Sequence, residues 1–477
     1  MQLVSIRVSP SMPLGVAGIA PLRQRLCPLV CCNDNRAVKR TEPSLSSGDR
    51  LRRTRHGAST WIMDKGQSPA RVERPSMSAL KRGRMHTYPD PLPRLCIAMP
   101  DYPAGIPSFV NRHCEELFGG NSVIVCDRLN GIPAKPDRMF ALRQKNSNIF
   151  HRLRAPYYLV RNHLAYSTFR VPYGQRSQEL LHFLGDQRVD AILAEFGSQA
   201  VGMWPVAQKM AMPMFTYFRG QDASRRLRHA SRVEAYRRML PNLAGVFAVS
   251  QFLLDQLAEH DLTHWNAHVV PSGVDTQLFG AGEKQHGLIL AVGRFTEKKA
   301  PMVTLDSFLD IASKHPEARL EFIGGGKLLK ACQDRAARSD HADRIVFHGA
   351  RPHEFVRDRL AVAEIFVQHS VTARNGDTEG LPTSIQEAMA SGAAVLSTRH
   401  AGISEVVRDN ETGFLVEEFD RDAFTNRLDL LLGDPALCRN LGTAARDYAE
   451  ANLDYRALYR TVEQVITEAV RNAPRVT

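Results

Sequence analysis

No stretch of this 477-residue chain approaches the run of roughly 18 to 20 apolar side chains that a helix needs to cross a bilayer, so no helical membrane span is expected. The eight cysteines lack paired metal-ligand spacing, which argues against a cysteine-built zinc site and for ordinary thiols in a reducing compartment. Charge excess is also scarce over most of the chain. Of the net +12, residues 1–84 carry +11, leaving +1 for residues 85–477. A basic protein of this kind does not call for nucleic acid as its partner, and no recognised nucleic-acid motif accompanies the charge.

The basic N-terminal segment, with GDRLRRTRHGAST as an example, has many Ser, Pro and Arg, few apolar clusters and no sustained periodicity. Disorder is the expectation for residues 1–90, or a misassigned start with Met85 as the initiator. A targeting peptide fits poorly, because Pro13 and Pro21 break the apolar stretch.

From residue 95 short apolar runs alternate with helical sequence: LCIAMP (95–100), NSVIVC (121–126), DAILAEF (190–196), MFTYF (214–218) and GVFAVS (245–250). That alternation predicts a doubly wound parallel sheet with helices on both faces. HVVPSGVDTQLF (268–279) reads as a strand running into a linker, after which the pattern restarts with LILAVGR, RLEFIG, RIVFHG, IFVQHS, AAVLST and GFLV. The expected fold class is therefore α/β, with Rossmann-like domains over 91–270 and 271–440. Helices over 441–477 pack outside or cross back to the first domain. Two such domains leave a cleft between the carboxyl ends of their sheets, where ligands of open α/β sheets bind.

GRFTEKKAP places Arg294 after a strand, with Lys298 and Lys299 just before a helix. Cations beside a glycine turn and a helix N-terminus suit an anion, and a solvated surface loop is the alternative. IGGGKLL (323–329) also follows a strand but has the layout of neither a dinucleotide fingerprint nor a P-loop. In DTEGLPTSIQEAMASG a helix is predicted from Thr383 or Ser384 to just before Gly392. Glu379 then lies in the loop at the cleft, where a carboxylate accepts hydrogen bonds from vicinal hydroxyls. Glu387 lies one turn into the helix, where Ser384-x-x-Glu387 also reads as a capping box. The D-x-D at Asp420 and Asp422 opens a helix and reads as a cap, so no metal site is expected.

VGRFTEKKAP, FIGGGKLL, FHGARPHEFV, EGLPTSIQEAMASGAAVLST and HAGISEVV with ETGFLV, in this order, resemble the retaining sugar-nucleotide glycosyltransferases of family four, which have the GT-B fold. HSVTARNGDTEG resembles most the members that build bacterial exopolysaccharide of the colanic acid type. The resemblance implies that Arg294 and Lys299 hold the donor diphosphate, Glu379 binds the transferred sugar and Glu387 the ribose. It also implies that Gly105, Gly293, Gly326, Gly380, Leu381 and Pro382 line the donor. A nucleoside diphosphate sugar is then a co-substrate and no bound cofactor is expected. The acceptor is a glycan or a lipid-linked glycan, and the expected place of action is the cytoplasm or the inner face of the membrane.

One departure stands out. Where the family commonly has a histidine, YFRGQDAS has Arg219, which cannot act as a base at neutral pH but can stabilise negative charge. Residues 135–177 hold nine Lys/Arg against the single acid Asp137, with aromatics interleaved, and suit contact with an anionic membrane or a solvated face above buried rings. A glycoside hydrolase leaves the anion site unexplained. A sugar-nucleotide epimerase of the same architecture and a non-catalytic nucleotide-sugar-binding partner of a glycan assembly complex remain as alternatives.

Overall fold

A computed structural model describes residues 92–103, 108–130, 136–143 and 149–473. The expected N-terminal extension and Gly105 lie outside these described residues. Residues 85–477 form one compact unit that holds two α/β lobes.

The first lobe is a seven-stranded sheet built from β1 (Leu95–Pro103), β2 (Ser122–Asn130), β3 (Met139–Ala141), β4 (Ala191–Glu195), β5 (Met214–Phe218), β6 (Gly245–Ala248) and β7 (Ala267–Val269). Its order is β3-β2-β1-β4-β5-β6-β7 and every pairing is parallel. The second lobe has β8 (Gln285–Val292), β9 (Arg319–Ile323), β10 (Ile345–Phe347), β11 (Ala363–Gln368), β12 (Ala394–Thr398) and β13 (Gly413–Val416), ordered β10-β9-β8-β11-β12-β13, again all parallel. Central strands such as β4, β5, β11 and β12 are buried along their whole length, because helices cover both faces. That is why they read as unbroken apolar runs and not as alternation.

Each sheet reverses its winding once, between β1 and β4 in the first lobe and between β8 and β11 in the second. Such switch points open crevices at the carboxyl ends of the strands. The two carboxyl edges face one another. The loop after β5 meets the loop after β11: a Cβ on Gly380 would lie 2.3 Å from the Arg219 carbonyl oxygen and 2.6 Å from Val249, so only glycine permits this approach.

The lobes are joined twice. After β7 the chain crosses through Pro271 and Gly273. The helix Tyr455–Asn472 then returns to the first lobe, where Glu463 accepts the Phe118 amide at 2.6 Å and Tyr459 meets His113 edge-on. At the crossing itself the Val274 amide donates to the Leu453 carbonyl and the Tyr455 amide to the Val274 carbonyl.

Candidate functional site

The second-lobe site is assembled around its switch point. β8 leads into Gly293 and Arg294, and β9 leads into the Gly324–Gly326 turn. The two tips are pressed together: a Cβ on Gly326 would lie 2.5 Å from the Phe295 carbonyl oxygen, and Gly326 has a φ of 148° that side chains rarely adopt. Glycine here lets backbone meet backbone beside the crevice.

The two adjacent lysines divide the work. Lys298 is buried and donates to the Thr378 carbonyl at 3.0 Å and to Asp377 at 3.4 Å, holding the loop that carries Glu379. Lys299 turns into the crevice, where its ammonium donates to Gln368 at 2.9 Å and lies 3.2 Å from Glu379 Oε1. Burial pushes the Lys299 ammonium below its ordinary value. Burial pushes the Glu379 carboxyl up, but Lys299 and Lys298 outweigh it and hold the group below the usual range, as a carboxylate. Apart from this ion pair with Lys299, Glu379 Oε1 meets no side-chain donor among the described residues. Arg294 is exposed at the rim, with no side-chain partner among the described residues. It remains free to bind an anion.

The helix Thr383–Ala390 follows, with Pro382 as its N-cap and no side-chain cap. Its first-turn N–H groups therefore keep their capacity for an anion. The capping-box reading is overturned: Ser384 lies inside the helix and donates to Gln368 at 3.0 Å, while Glu387 meets His353 Nε2 at 3.0 Å. Pro382 took the cap position by its fixed φ, leaving Glu387 to a partner from another loop. That hydrogen bond raises the His353 imidazole above its ordinary value. Asp420 does cap its helix, accepting the Ala423 amide at 2.9 Å.

Across the cleft, the first lobe has its own carboxylate and cation at its switch point. Glu195, the last residue of β4, is fully buried between His113 Nδ1 at 2.5 Å and Arg219 Nε at 2.8 Å. The Arg219 guanidinium lies over the rings of Tyr217 and Phe109, at 3.9 and 4.2 Å, and donates to Ser272 at 2.9 Å. Only 4% of its side chain is exposed. Asp222 accepts the amides of Gly197, Arg219 and Gly220, fixing the turn. Burial pushes Glu195 up, yet Arg219 and then His113 pull it down to about 2. Burial also lowers His113, so its neutral ring donates from Nδ1 to Glu195 and leaves Nε2 without a partner.

Comparison with known proteins places this geometry. The family described as glycosyltransferase family 4 matches residues 119–278, and that described as glycosyl transferases group 1 matches residues 277–448. The chain belongs to the family 4 glycosyltransferases. Among curated members of that kind, the amylovoran biosynthesis glycosyltransferase AmsK of Erwinia amylovora is 30% identical over 262 residues, covering 53% of this chain and 63% of AmsK. The chain thus spans less than two thirds of that relative. The putative colanic acid biosynthesis glycosyltransferase WcaL of Salmonella typhimurium is 26% identical over 284 residues, 58% of this chain and 70% of WcaL. The crystal structure of HepE from Anabaena in complex with UDP superposes with a TM-score of 0.62 at 12% identity, over 79% of this chain and all of HepE, which shows the GT-B fold.

Within this family 4 chain the structure brings Gly293, Arg294, Lys299, Gly326, Glu379, Gly380 and Glu387 to the second lobe's crevice or the elements bordering it, with Leu381 and Pro382 leading into the bordering helix. Arg219 joins them by its backbone, against Gly380, while its guanidinium is engaged within the first lobe. Gln368, His353 and the pair His113 and Glu195 escaped the sequence reading, while Lys298 and Ser384 were read there in other roles, as part of an anion site and as a cap. Gln368 carried a usable signal, an amide closing an otherwise apolar strand at its carboxyl end.

Proposed function

We propose that the chain is a retaining glycosyltransferase that moves a sugar from a nucleoside diphosphate sugar to a glycan or lipid-linked acceptor in exopolysaccharide or lipopolysaccharide biosynthesis. The observation that carries this reading is the buried Glu379 carboxylate, whose Oε1 is met among the described residues only by the Lys299 ammonium at 3.2 Å, beside the uncapped helix Thr383–Ala390. A carboxylate accepts several hydrogen bonds, so this one keeps capacity beyond the lysine, and sugar hydroxyls supply the further donors. Arg294 and Lys299 supply positive charge at the place where a diphosphate gathers charge on leaving, which is the form of stabilisation that catalysis rewards most.

In this reading Glu379 holds the transferred sugar, the Arg294 fork and Lys299 hold the diphosphate, and Glu387 with His353 faces the ribose. The acceptor hydroxyl attacks from the face that the diphosphate leaves, and a phosphate oxygen takes its proton. Arg219 then needs no role as a base. It is a positioning residue that fixes the 219–220 backbone against Gly380. The exopolysaccharide assignment rests on the likeness to AmsK and WcaL.

The test is a thermal-shift screen of the full chain against UDP, GDP, ADP and CDP, repeated with Arg294→Ala. A ligand at 100 times its Kd should stabilise by about 2.7 kcal/mol. A shift from one diphosphate that Arg294→Ala abolishes supports the site and names its base; a folded protein that none of them shifts counts against it. Turnover only with an acceptor present separates a transferase from an epimerase, and the anomeric configuration of the product tests retention.

A further inference from the structure

The helix Ile149–Tyr166 of the first lobe follows β3 and is anchored from one side. Asn162 is buried and donates to the Val171 carbonyl at 2.9 Å, and Tyr166 meets Trp204 edge-on. The other side is unusual. Leu153, Tyr157, Val160 and Leu164 are 73%, 68%, 58% and 71% exposed. Their spacing, i, i+4, i+7 and i+11, sets them in one row along the helix. Phe169, 57% exposed and stacked on His163, extends the row.

The basic composition of this stretch admitted a solvated face above buried rings. The structure holds both features: Phe140 is buried and Tyr158 and Tyr166 are half-buried, while Tyr157 and Phe169 join an apolar ridge pointing outward.

The charge beside the ridge has one sign. The 41 residues between Asp137 and Glu179 contain eight Lys/Arg and no Asp or Glu. Arg170 and Arg176 are paired, with Asp127 and Glu179. Arg154 and Arg161 are exposed and have no partner among the described residues, and with Lys209 they line a cavity of about 470 Å³. A row of apolar side chains flanked by unpaired cations, on a helix lying along the protein surface, is the form of an interfacial helix. Five side chains fall short of the roughly 20 residues a side of a stable protein interface.

We propose that the ridge Leu153, Tyr157, Val160 and Leu164, with Arg154 and Arg161 beside it, docks the first lobe on an anionic phospholipid surface. The apolar row enters the boundary between headgroups and acyl chains, while the arginines meet lipid phosphates.

Co-sedimentation of the full chain with vesicles of phosphatidylglycerol and phosphatidylcholine (1:1), against pure phosphatidylcholine, tests this without any sugar donor. Its failure therefore leaves the donor-site reading untouched. Binding is expected on the anionic vesicles. Arg154→Gln with Arg161→Gln should weaken it roughly 25-fold, about fivefold per cation. The triple variant Leu153→Ser, Tyr157→Ser and Leu164→Ser should weaken it at least about tenfold, and Val160→Trp should strengthen it with a blue-shifted emission. All these side chains are exposed, so circular dichroism should match the wild type.

A triple variant that binds as tightly as wild type overturns the proposal and moves the binding to another basic surface, such as residues 1–84. A wild type that ignores anionic vesicles overturns it too, and gives the ridge to a protein partner.

Discussion

The two lobes each place a glutamate beside a cation at the switch point of a parallel sheet, and the two pairs are used differently. In the first lobe Glu195 is enclosed by His113 and Arg219, and the guanidinium is stacked between rings. In the second, Glu379 is paired with two lysines, and Arg294 stands at the rim with no side-chain partner among the described residues. Enclosure converts charge into a constraint on the fold, whereas an unfinished set of partners leaves charge available to a ligand. The pairing of residue types does not separate the two cases; the exposure of the cation does, with 4% of the Arg219 side chain exposed and Arg294 standing in solvent.

The sharpest way to break this contrast is to remove each cation. Arg219→Met strands the Glu195 charge in the core and is expected to cost about 3–5 kcal/mol in a urea titration. Combining it with Glu195→Gln should recover much of that loss. Arg294→Ala should lower kcat/KM by about 10²–10³ and change stability by no more than about 0.5 kcal/mol, which steady-state kinetics and the same urea titration check. If both arginines behaved alike, the distinction would fall.

Acid sharpens it further. His113 and Glu195 both lie below their ordinary values, so the unfolded chain binds more protons and stability rises with pH. The His113 share is present above about 6.5 and is lost as the pH falls below that value. The Glu195 share is lost between 4.5 and about 2. Urea midpoints across that range should fall in two stages, and Glu195→Gln should remove the lower one. The smallest effect belongs to a third carboxylate. Glu405 of the second lobe accepts the Gln251 and Phe252 amides, at 2.8 and 2.9 Å, at the start of a first-lobe helix. Glu405→Ala should cost about 1 kcal/mol by the same measurement.

Much of the architecture was legible in the sequence because buried parallel strands announce themselves as apolar runs. MFTYF is β5 residue for residue. β3 and β7 escaped or blurred, being three residues long with at most one buried side chain each, whereas the equally short β10 announced itself by its Ile-Val-Phe run. The second-lobe site was legible as a set of motifs but not as a division of roles. Lys298 and Lys299 are neighbours in sequence, yet one ties down a loop and the other faces the crevice, a difference set by which carbonyls lie nearby. Arg219 and Arg294 each follow a strand, and only packing against Phe109 and Tyr217 tells them apart. The aromatic and basic stretch showed its composition but not its outward face, because rings at helical spacing suit a core equally well.

Glu405 also bears on how the molecule comes apart. The helix Gln251–Ala258 belongs to one lobe by chain and takes its terminal partner from the other, and the crossing at Val274 is stitched to Leu453 and Tyr455. Severing the chain at the crossing would not release two self-sufficient halves, since each would lack groups that the other supplies. What a topology drawing presents as two domains should melt as one cooperative body, and a nick near residue 280 should leave a complex whose parts hold together until both unfold.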